Sequence, residues 1–199
     1  YTLISEVFRE VMECRTWLES GFWDGSVSMR YLRPMSVFAQ YAAEWSGGVA
    51  FRLLTFSIPL LLLSSLMGVN PLPASPQAGI LFLASLLLAV FVGLGIEYLF
   101  SGLAIAFRTH PWIFNRMRAA IGEILSGALL PFAFMPLGLG KIFSYLPFAG
   151  QASTPLSIYV GQADSPRLMA LQLFWGVVLW LIAGRLWEKN KEKVVAYGG

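Results

Sequence analysis

The fold is decided by a long stretch without a charged residue, Leu53–Ile96, which reads LLTFSIPLLLLSSLMGVNPLPASPQAGILFLASLLLAVFVGLGI. A membrane-spanning helix needs about 20 mainly apolar residues, so this stretch is too long for one helix. It is interrupted at Asn70–Pro76, where the prolines of NPLPASP prevent a continuous helix. We therefore predict two spanning helices, 48–68 and 79–107, joined by a short uncharged turn.

The composition of the whole chain is that of a membrane protein. Of the 199 residues, 57% are hydrophobic and 13% are charged, and the mean hydropathy is +0.66, whereas soluble domains carry roughly 25% charged residues. A soluble chain of this size does not bury so much apolar surface in one core. One cysteine (Cys14) and one histidine (His110) argue against a disulfide within the chain, a metal site or a histidine-rich catalytic centre. No basic stripe indicates nucleic-acid binding.

Further apolar stretches extend the pattern on both sides. The third predicted span begins after Arg118 and ends near Phe134, and the fourth covers 168–184. Tyr1–Val11 fits the tail of an earlier span, since the sequence starts abruptly without Met or a signal peptide. The chain divides into the end of an upstream helix with cytoplasmic interfacial helices (1–47), three spans (48–134), an outer segment (135–167), the last span (168–186) and a cytoplasmic tail (187–199).

The basic residues alternate between the loops. All but two of the 14 lysines and arginines precede the first clear span or lie at its entry, separate the second and third spans, or follow the fourth. Because cytoplasmic loops are enriched in Lys and Arg, we predict that the N-terminal region, the Arg108–Arg118 loop and the C-terminus are cytoplasmic. The exceptions, Lys141 and Arg167, lie on the outer side. The N-terminal group consists of Arg9, Arg15, Arg30, Arg33 and Arg52.

The segment from Pro131 to Gly161 is apolar but broken by four prolines and four glycines. Irregular backbone at membrane depth needs cover from protein or a water-filled cavity. We predict a pair of short re-entrant or interfacial helices on the outer side that act as a gate. The alternative is a hydrophobic loop at the headgroup level. The candidate gate residues are Gly127, Pro131, Pro136, Pro147 and Phe148.

The region 16–52 mixes aromatic with charged residues and is not membrane-like. Gly21 and Gly25 punctuate it, and Pro34 ends a short element. Such amphipathic segments either lie on the bilayer surface or dock into the groove of a partner, and both interpretations stay open from the residues alone. A helical apolar stripe that leads into the next span follows at Phe38, Tyr41, Ala42 and Trp45.

Two acidic residues lie within the predicted spans. An ionisable residue in the bilayer costs about 2.5–3.5 kcal/mol and therefore faces the bundle interior or water. Glu97 precedes Arg108 by roughly 16 Å of helix, which places it near the middle of the membrane. It is either a carboxylate of the substrate path or a subunit interface, or a protonated side chain that ties helices together. Glu123 is nearer the cytoplasmic loop, where we expect it to lean toward Arg116 or Arg118 or to reach interfacial water.

Two stretches resemble a known family. Gly25–Pro34 (GSVSMRYLRP) resembles the cytoplasmic G-x-L-x-x-L-L-x-R-P stretch of ABC-2 type transporter permeases, the membrane subunits of bacterial ATP-binding cassette exporters. Leu125–Pro131 (LSGALLP), followed by LPF at Leu146–Phe148, resembles the S-G-x-x-x-P…L-P-F pattern of their last third. The ending Val194–Gly199 is also similar, so the resemblance covers most of the chain.

The resemblance implies an all-α bundle of transmembrane helices with ABC-2, type V exporter-like architecture. Each subunit would have six membrane helices, of which two lie upstream of Tyr1 or are cut short. The Trp17–Arg33 element would be the coupling helix that sits in a groove of the ATPase subunit. The implied coupling residues are Trp17, Phe22, Trp23, Gly25, Arg30, Leu32, Arg33 and Pro34.

The source of energy lies outside this sequence. It contains no G-x-x-x-x-G-K-[ST] phosphate loop, so ATP and Mg²⁺ are expected on a partner ATPase subunit and this chain is not itself an enzyme. We expect a second permease chain, identical or different, and a bacterial inner-membrane location. The competing functions are a membrane-embedded enzyme and a non-transporting assembly scaffold.

Overall fold

The computed structural model describes residues 1–107, 110–161 and 164–197, without the side chains of Glu19, Phe22, Trp23, Pro111 and 191–197. In these ranges the chain is helical or irregular and has no strand. Arg108, which was predicted in a cytoplasmic loop, lies outside the described residues.

The helices are of very different lengths. The α-helices of the described ranges are α1 (Thr2–Val7), α2 (Arg9–Glu13), α3 (Leu18–Trp23), α4 (Ser26–Arg30), α5 (Val37–Arg52), α6 (Ile58–Leu66), α7 (Pro76–Phe107), α8 (Pro111–Leu125), α9 (Leu139–Phe143), α10 (Ser153–Tyr159) and α11 (Ser165–Tyr197). A π-helical turn at Leu53–Ser57 joins α5 to α6. Short 3-10 turns occupy Phe132–Phe134, Pro136–Gly138 and Pro147–Gly150.

In the described residues, three helices are long and apolar enough to cross a membrane: Val37–Leu66, Pro76–Phe107 and Ser165–Asn190. They correspond to the first, second and fourth predicted spans. The first is longer than predicted, because the stripe that starts at Phe38 is continuous with it through the π-helical turn. An all-α membrane protein is thereby confirmed.

The third predicted span is not a continuous helix. Helix α8 ends at Leu125, and its 15 residues extend for about 22 Å, short of the roughly 30 Å of hydrocarbon in a bilayer. Gly127, with a φ of 73°, turns the backbone into the left-handed region. The Ser126 hydroxyl accepts a hydrogen bond from the Ala128 amide at 3.2 Å. The helix therefore stops before the apolar residues that suggested a longer span.

Helices α7 and α11 are parallel and form the centre of the bundle. Near the start of both helices the Ser85 hydroxyl donates to Gln172 Oε1 at 2.8 Å. Further along both, the rings of Tyr98 and Trp187 lie 4.9 Å apart. The C-terminal part of α11 therefore lies at the Phe107 end of α7, as the predicted topology requires.

Glycines allow α7 and α11 to approach closely. A Cβ at Gly176 would overlap the Phe91 ring, and a Cβ at Gly102 would lie 3.1 Å from Leu186 Cδ2. Small residues are common where membrane helices pack together. Gly102 and Gly176 are therefore the small residues that this interface requires.

The apolar segment after α8 forms short helices that pack at the other end of α7. The Tyr159 hydroxyl donates to the carbonyl of Pro71, and the Tyr159 carbonyl accepts from the Ala74 amide at 3.0 Å. Leu156 and Ile158 are buried. Helix α10 is thus packed inside the fold beside the α6–α7 loop, which favours short helices over a loose loop.

The N-terminal helices run beside α7 at the depth of the bundle. The Phe8 ring lies 5.1 Å from that of Phe82, and Thr16 reaches Glu97. Arg9 and Arg15 therefore lie alongside the second span and not beyond its Phe107 end, as the count of cytoplasmic charges had assumed. Their charges are accommodated there because this face of the molecule carries several carboxylates.

The α7–α11 interface provides a test of the packing. We expect Gly176→Ala to destabilise the fold by about 1–3 kcal/mol, because the added methyl group overlaps the Phe91 ring and overpacks the interface. Gly184→Ala on the same helix is the matched control, since a Cβ there meets nothing within 4 Å. The measurement is thermal unfolding of both variants in detergent; equal melting temperatures would contradict this packing.

Candidate functional site

A buried ion pair joins α7 to α8. Arg118 Nε lies 3.1 Å from Glu97 Oε2, and the two residues are 7% and 1% exposed. Sequence analysis assigned Arg118 to a cytoplasmic loop, but α8 begins at Pro111 with His110 as its N-cap. Arg118 is therefore two turns inside the helix and level with Glu97.

The same pair holds the segment between α2 and α3. Glu97 Oε1 accepts hydrogen bonds from the Thr16 amide at 2.8 Å and from the Thr16 hydroxyl at 2.9 Å. Arg118 Nη1 donates to the Glu13 carbonyl at 3.0 Å. Both charges are thus compensated and hydrogen-bonded, which is the condition under which charges are tolerated in an apolar interior. We call Glu13, Thr16, Glu97 and Arg118 the anchor cluster.

The anchored segment has an unusual backbone. Cys14 and Trp17 have φ values of 46° and 60°, in the left-handed region that costs residues other than glycine roughly 1–2 kcal/mol each. Such conformations persist when surrounding contacts fix them. The hydrogen bonds from Thr16 to Glu97 supply that constraint between the two bends.

These contacts correct the interpretation of the intramembrane acids. Of the two interpretations of Glu97, the contacts favour the side chain that ties helices together, and its partners are Arg118 and Thr16. Glu123 does not lean onto an arginine: in the described part of the chain it forms no ion pair with Arg116 or Arg118, and it is exposed. Sequence reasoning missed Thr16 and the role of Arg118. The one available signal was His110-Pro111, a typical helix start.

The predicted coupling region folds into two short helices, α3 and α4. The Ser26 amide donates to Asp24 Oδ1 at 2.9 Å and lowers the pKa of the Asp24 carboxyl, which stabilises the turn between them. Gly25 has a φ of 77° at this turn. Leu18 and Val27 are buried in a cluster with residues of α5 and α7, namely Val37, Phe38, Tyr41 and Ile105.

The predicted coupling residues are not all on one surface. Leu32 is 79% exposed, and Trp17, Arg33 and Pro34 are exposed as well. Arg30 instead forms a two-pronged pair with Glu44, at 2.7 and 2.9 Å, and lies over the Tyr41 ring. The side chains of Phe22 and Trp23 lie outside the described residues. Three exposed side chains nearby were not predicted: Met29, Tyr31 and Met35.

The predicted gate residues fall into two groups. A Cβ at Gly127 would lie 2.9 Å from the Phe132 ring, and Pro131 caps the 3-10 turn that holds this ring. Pro136 begins another turn of the same region. Pro147 begins the 3-10 turn that carries Phe148, and Phe148 lines a cavity against α8.

The cavity adds a polar feature to this part of the molecule. It has a volume of about 500 Å³ and lies between α1–α2 and α8. Its wall includes Glu123, Arg15 and Arg118 as well as Gln151. The described residues contain no group of three or more His, Cys, Asp or Glu side chains placed to hold a metal ion.

The comparison with known families agrees with an all-α membrane protein. A profile of the family described as ABC-2 family transporter protein matches residues 3–198. The chain belongs to the ABC-2 transporter family. No curated protein and no solved structure matches it.

Membership of this family makes the chain a permease of an ABC transporter. ABC-2 permeases are transmembrane subunits that are generally not catalytic and that associate with ABC ATPase subunits. The resemblance inferred from Gly25–Pro34 and Leu125–Pro131 is therefore confirmed at the family level. The sequence motifs indicated the family but not the substrate of the permease.

The anchor cluster of the permease makes a measurable energetic prediction. We expect Arg118→Met to destabilise the fold by about 3–5 kcal/mol, because it leaves the Glu97 carboxylate buried without its counter-charge. Glu97→Leu should cost a similar amount, and the double variant clearly less than the sum. The measurement is a double-mutant cycle on unfolding free energy in detergent.

The exposed pair Arg9–Glu13, at 2.7 Å, is the control for this cycle. Arg9→Met should change the unfolding free energy by no more than about 1 kcal/mol, since exposed pairs contribute little. Additive effects of Glu97→Leu and Arg118→Met would show that the two side chains do not interact.

Proposed function

We propose that this permease forms half of the transmembrane path of an exporter that separate ATPase subunits drive. The observation that carries the proposal is an exposed apolar surface on α4 and the residues after it. This docking ledge consists of Met29, Tyr31, Leu32 and Met35, all of which are exposed. It lies next to the start of α5, toward the Ile105 end of α7.

The ledge has the properties of a surface that receives a partner. Exposed apolar patches rimmed by polar groups mark interaction sites, and Arg33 lies at its edge. Its inner side is fixed, because Val27 is buried against α5 and Arg30 is paired with Glu44. A rigid support with an apolar outer face suits insertion into a groove of an ATPase subunit.

The anchor cluster supplies a path for coupling. A displacement of α3 and α4 is transmitted through Thr16 to Glu97 on α7 and Arg118 on α8. ATP binding to the partner would then shift the equilibrium between inward-open and outward-open states by the difference in ATP affinity between them. ATP and Mg²⁺ belong to the ATPase subunit, since the phosphate-loop motif is missing from the 199 residues.

A second permease chain completes the proposal. The face that carries Glu6, Arg9, Glu10 and Arg52 lies at the depth of the spans and is partly exposed. Charges at this depth face water or protein in preference to lipid. A second copy, or a related chain, would cover this face and enclose the path.

We also propose an orientation in the membrane, which the same arrangement supports. We place the docking ledge and the C-terminus in the cytoplasm of a bacterial cell, and the segment Pro131–Gly161 at the outer face of the inner membrane. There Gly127 and Phe132, with Pro131 and Pro136, would form the outer closure. The tight fit of Phe132 against Gly127 supports a closed arrangement of this end.

The ledge is tested by a position-specific cross-link. The sequence contains one cysteine, Cys14, and it is buried, so Leu32→Cys introduces an accessible thiol. We expect a bifunctional maleimide reagent to join this residue to an ATPase polypeptide when the full-length permease is purified from membranes of its own host. The cross-linked complex should hydrolyse Mg-ATP.

The matched control for this cross-link is Leu137→Cys, because Leu137 is even more exposed but lies at the opposite end. It should give no ATPase adduct. Two results would refute the docking assignment in a permease that purifies with bound ATPase. One is that neither cysteine variant cross-links to the ATPase, and the other is that only Leu137→Cys does.

The orientation is tested by labelling intact cells. Leu137→Cys should react with a membrane-impermeant maleimide added from outside, whereas Leu32→Cys should react only after permeabilisation. The reason is that α4 packs near Ile105 of α7, whereas the Phe132 turn next to Leu137 packs with Gly127, toward the other end of the bundle. Reversed accessibility would invert the proposed topology while leaving the family assignment in place.

A further inference from the structure

The cavity between α1–α2 and α8 has an unusual charge balance. Four carboxylates and three guanidinium groups line it. Most of them neutralise each other or a neighbour: Arg118 pairs with Glu97, Arg9 with Glu13 at 2.7 Å, and Glu10 with Arg52 at 3.3 Å. Glu6 adds a weaker contact to Arg9 at 3.6 Å.

Two charged groups of the lining remain without a counter-charge in the described part of the chain. One is the exposed carboxylate of Glu123 on α8. The other is the guanidinium of Arg15, whose buried Nε has no hydrogen-bond partner and which lies 5.2 Å from the Trp17 ring centroid. A buried donor without an acceptor is costly, so the Arg15 guanidinium, which lines the cavity, has hydrogen-bonding capacity that the described residues leave unused.

Apolar side chains complete the wall of the cavity. Phe148, Leu129 and Met12 line it together with Ala128 and Ala152. The cavity therefore offers a carboxylate, a guanidinium and an apolar surface to one ligand. This combination is complementary to a molecule with a cationic group, an anionic group and a hydrocarbon part.

The depth of the cavity favours a ligand that enters from the bilayer or along the path. Its N-terminal wall runs beside α7 from Phe82, which contacts Phe8, to Glu97, which binds Thr16. Its other wall reaches from Arg118 to Ser126 on α8, about 12 Å of helix. Ionic groups at this depth need water, protein or a charged ligand around them.

We propose that this cavity binds a zwitterionic amphiphile. The cationic group of the ligand pairs with Glu123, its anionic group pairs with Arg15, and its hydrocarbon part lies along Phe148 and Leu129. As a statement about the transported substrate class, this inference rests on the proposed function, but the binding event itself requires only the permease. Glu97, which sequence analysis had considered for this role, is excluded by its pairing with Arg118.

The test uses the full-length permease in lipid nanodiscs and four probes. Three share a dodecyl chain: dodecyl phosphoethanolamine (zwitterionic), dodecylamine (cationic) and dodecyl phosphate (anionic). The fourth, phosphoethanolamine, has the zwitterionic head without the chain. Binding is followed by the change in tryptophan fluorescence. We expect the zwitterionic amphiphile to bind at least about tenfold tighter than each of the others, since each of the others lacks one charged or apolar contact with the cavity.

Variants assign the two charges. Glu123→Gln should weaken binding of the zwitterionic and cationic probes about tenfold and leave the anionic probe unchanged. Arg15→Gln should weaken the zwitterionic and anionic probes and leave the cationic probe unchanged, and Arg15→Lys should restore part of the loss. The control is Asp164→Asn, because Asp164 is an exposed carboxylate at the start of α11, outside the cavity.

Several results would overturn the proposal. They are equal affinity for the three dodecyl probes, equal affinity for phosphoethanolamine without its chain, or unchanged binding in both Glu123→Gln and Arg15→Gln. Melting temperatures of the variants exclude misfolding as the cause of lost binding. Probe binding without any ATP-driven transport would refute only the exporter function, and transport of a substrate without probe binding would refute only this inference.

Discussion

The pairing of Glu97 with Arg118 constrains the relative depth of three parts of the molecule. Either charge alone in this interior would cost several kcal/mol, so α7 and α8 are held in the register that brings the two together. The remaining polar atoms of the pair are bound by Thr16 and by the Glu13 carbonyl. The segment Glu13–Thr16 is thereby fixed to both α7 and α8 at the depth of the ion pair. This contact also fixes the point at which α3 begins.

This constraint divides the molecule into two lateral faces. Exposed leucines and phenylalanines of α6, α7 and α11 form an apolar surface that is suited to lipid. A second surface carries the exposed charges of α1 and α2 and the cavity against α8. Such an asymmetry is characteristic of a subunit that contacts lipid on one side and encloses a polar space on the other. The glycines of the α7–α11 interface keep the two faces on one rigid bundle.

The parts of the fold that depend on local pattern were predictable. Helix α7 follows from an uncharged run that starts at a proline, and the turn between α3 and α4 falls at Gly25, whereas Gly21 lies inside α3. The end of α8 was not predictable from the sequence. The apolar residues after Leu125 continue the hydrophobic pattern, and only Gly127 marks the break in the helix. Arg118 was interpreted as a topology signal, since hydropathy counts an arginine in the same way whether or not a carboxylate one helix away compensates it.

The two acids show why position along a span does not determine a role. Glu97 seemed the better functional candidate because the sequence placed it nearer the middle of the membrane, yet its oxygens are occupied by Arg118 and Thr16, which makes it an anchor. Glu123 is nearer the end of its helix and has an open carboxylate in a cavity. Two hydrogen bonds between Thr16 and the charged Glu97 contribute about 1.5–3 kcal/mol each, comparable to the 1–3 kcal/mol typical of allosteric coupling. In the proposed coupling, a movement of the docking ledge would therefore pass through this anchor to α7 and α8, and with α8 to the wall of the cavity that contains Glu123.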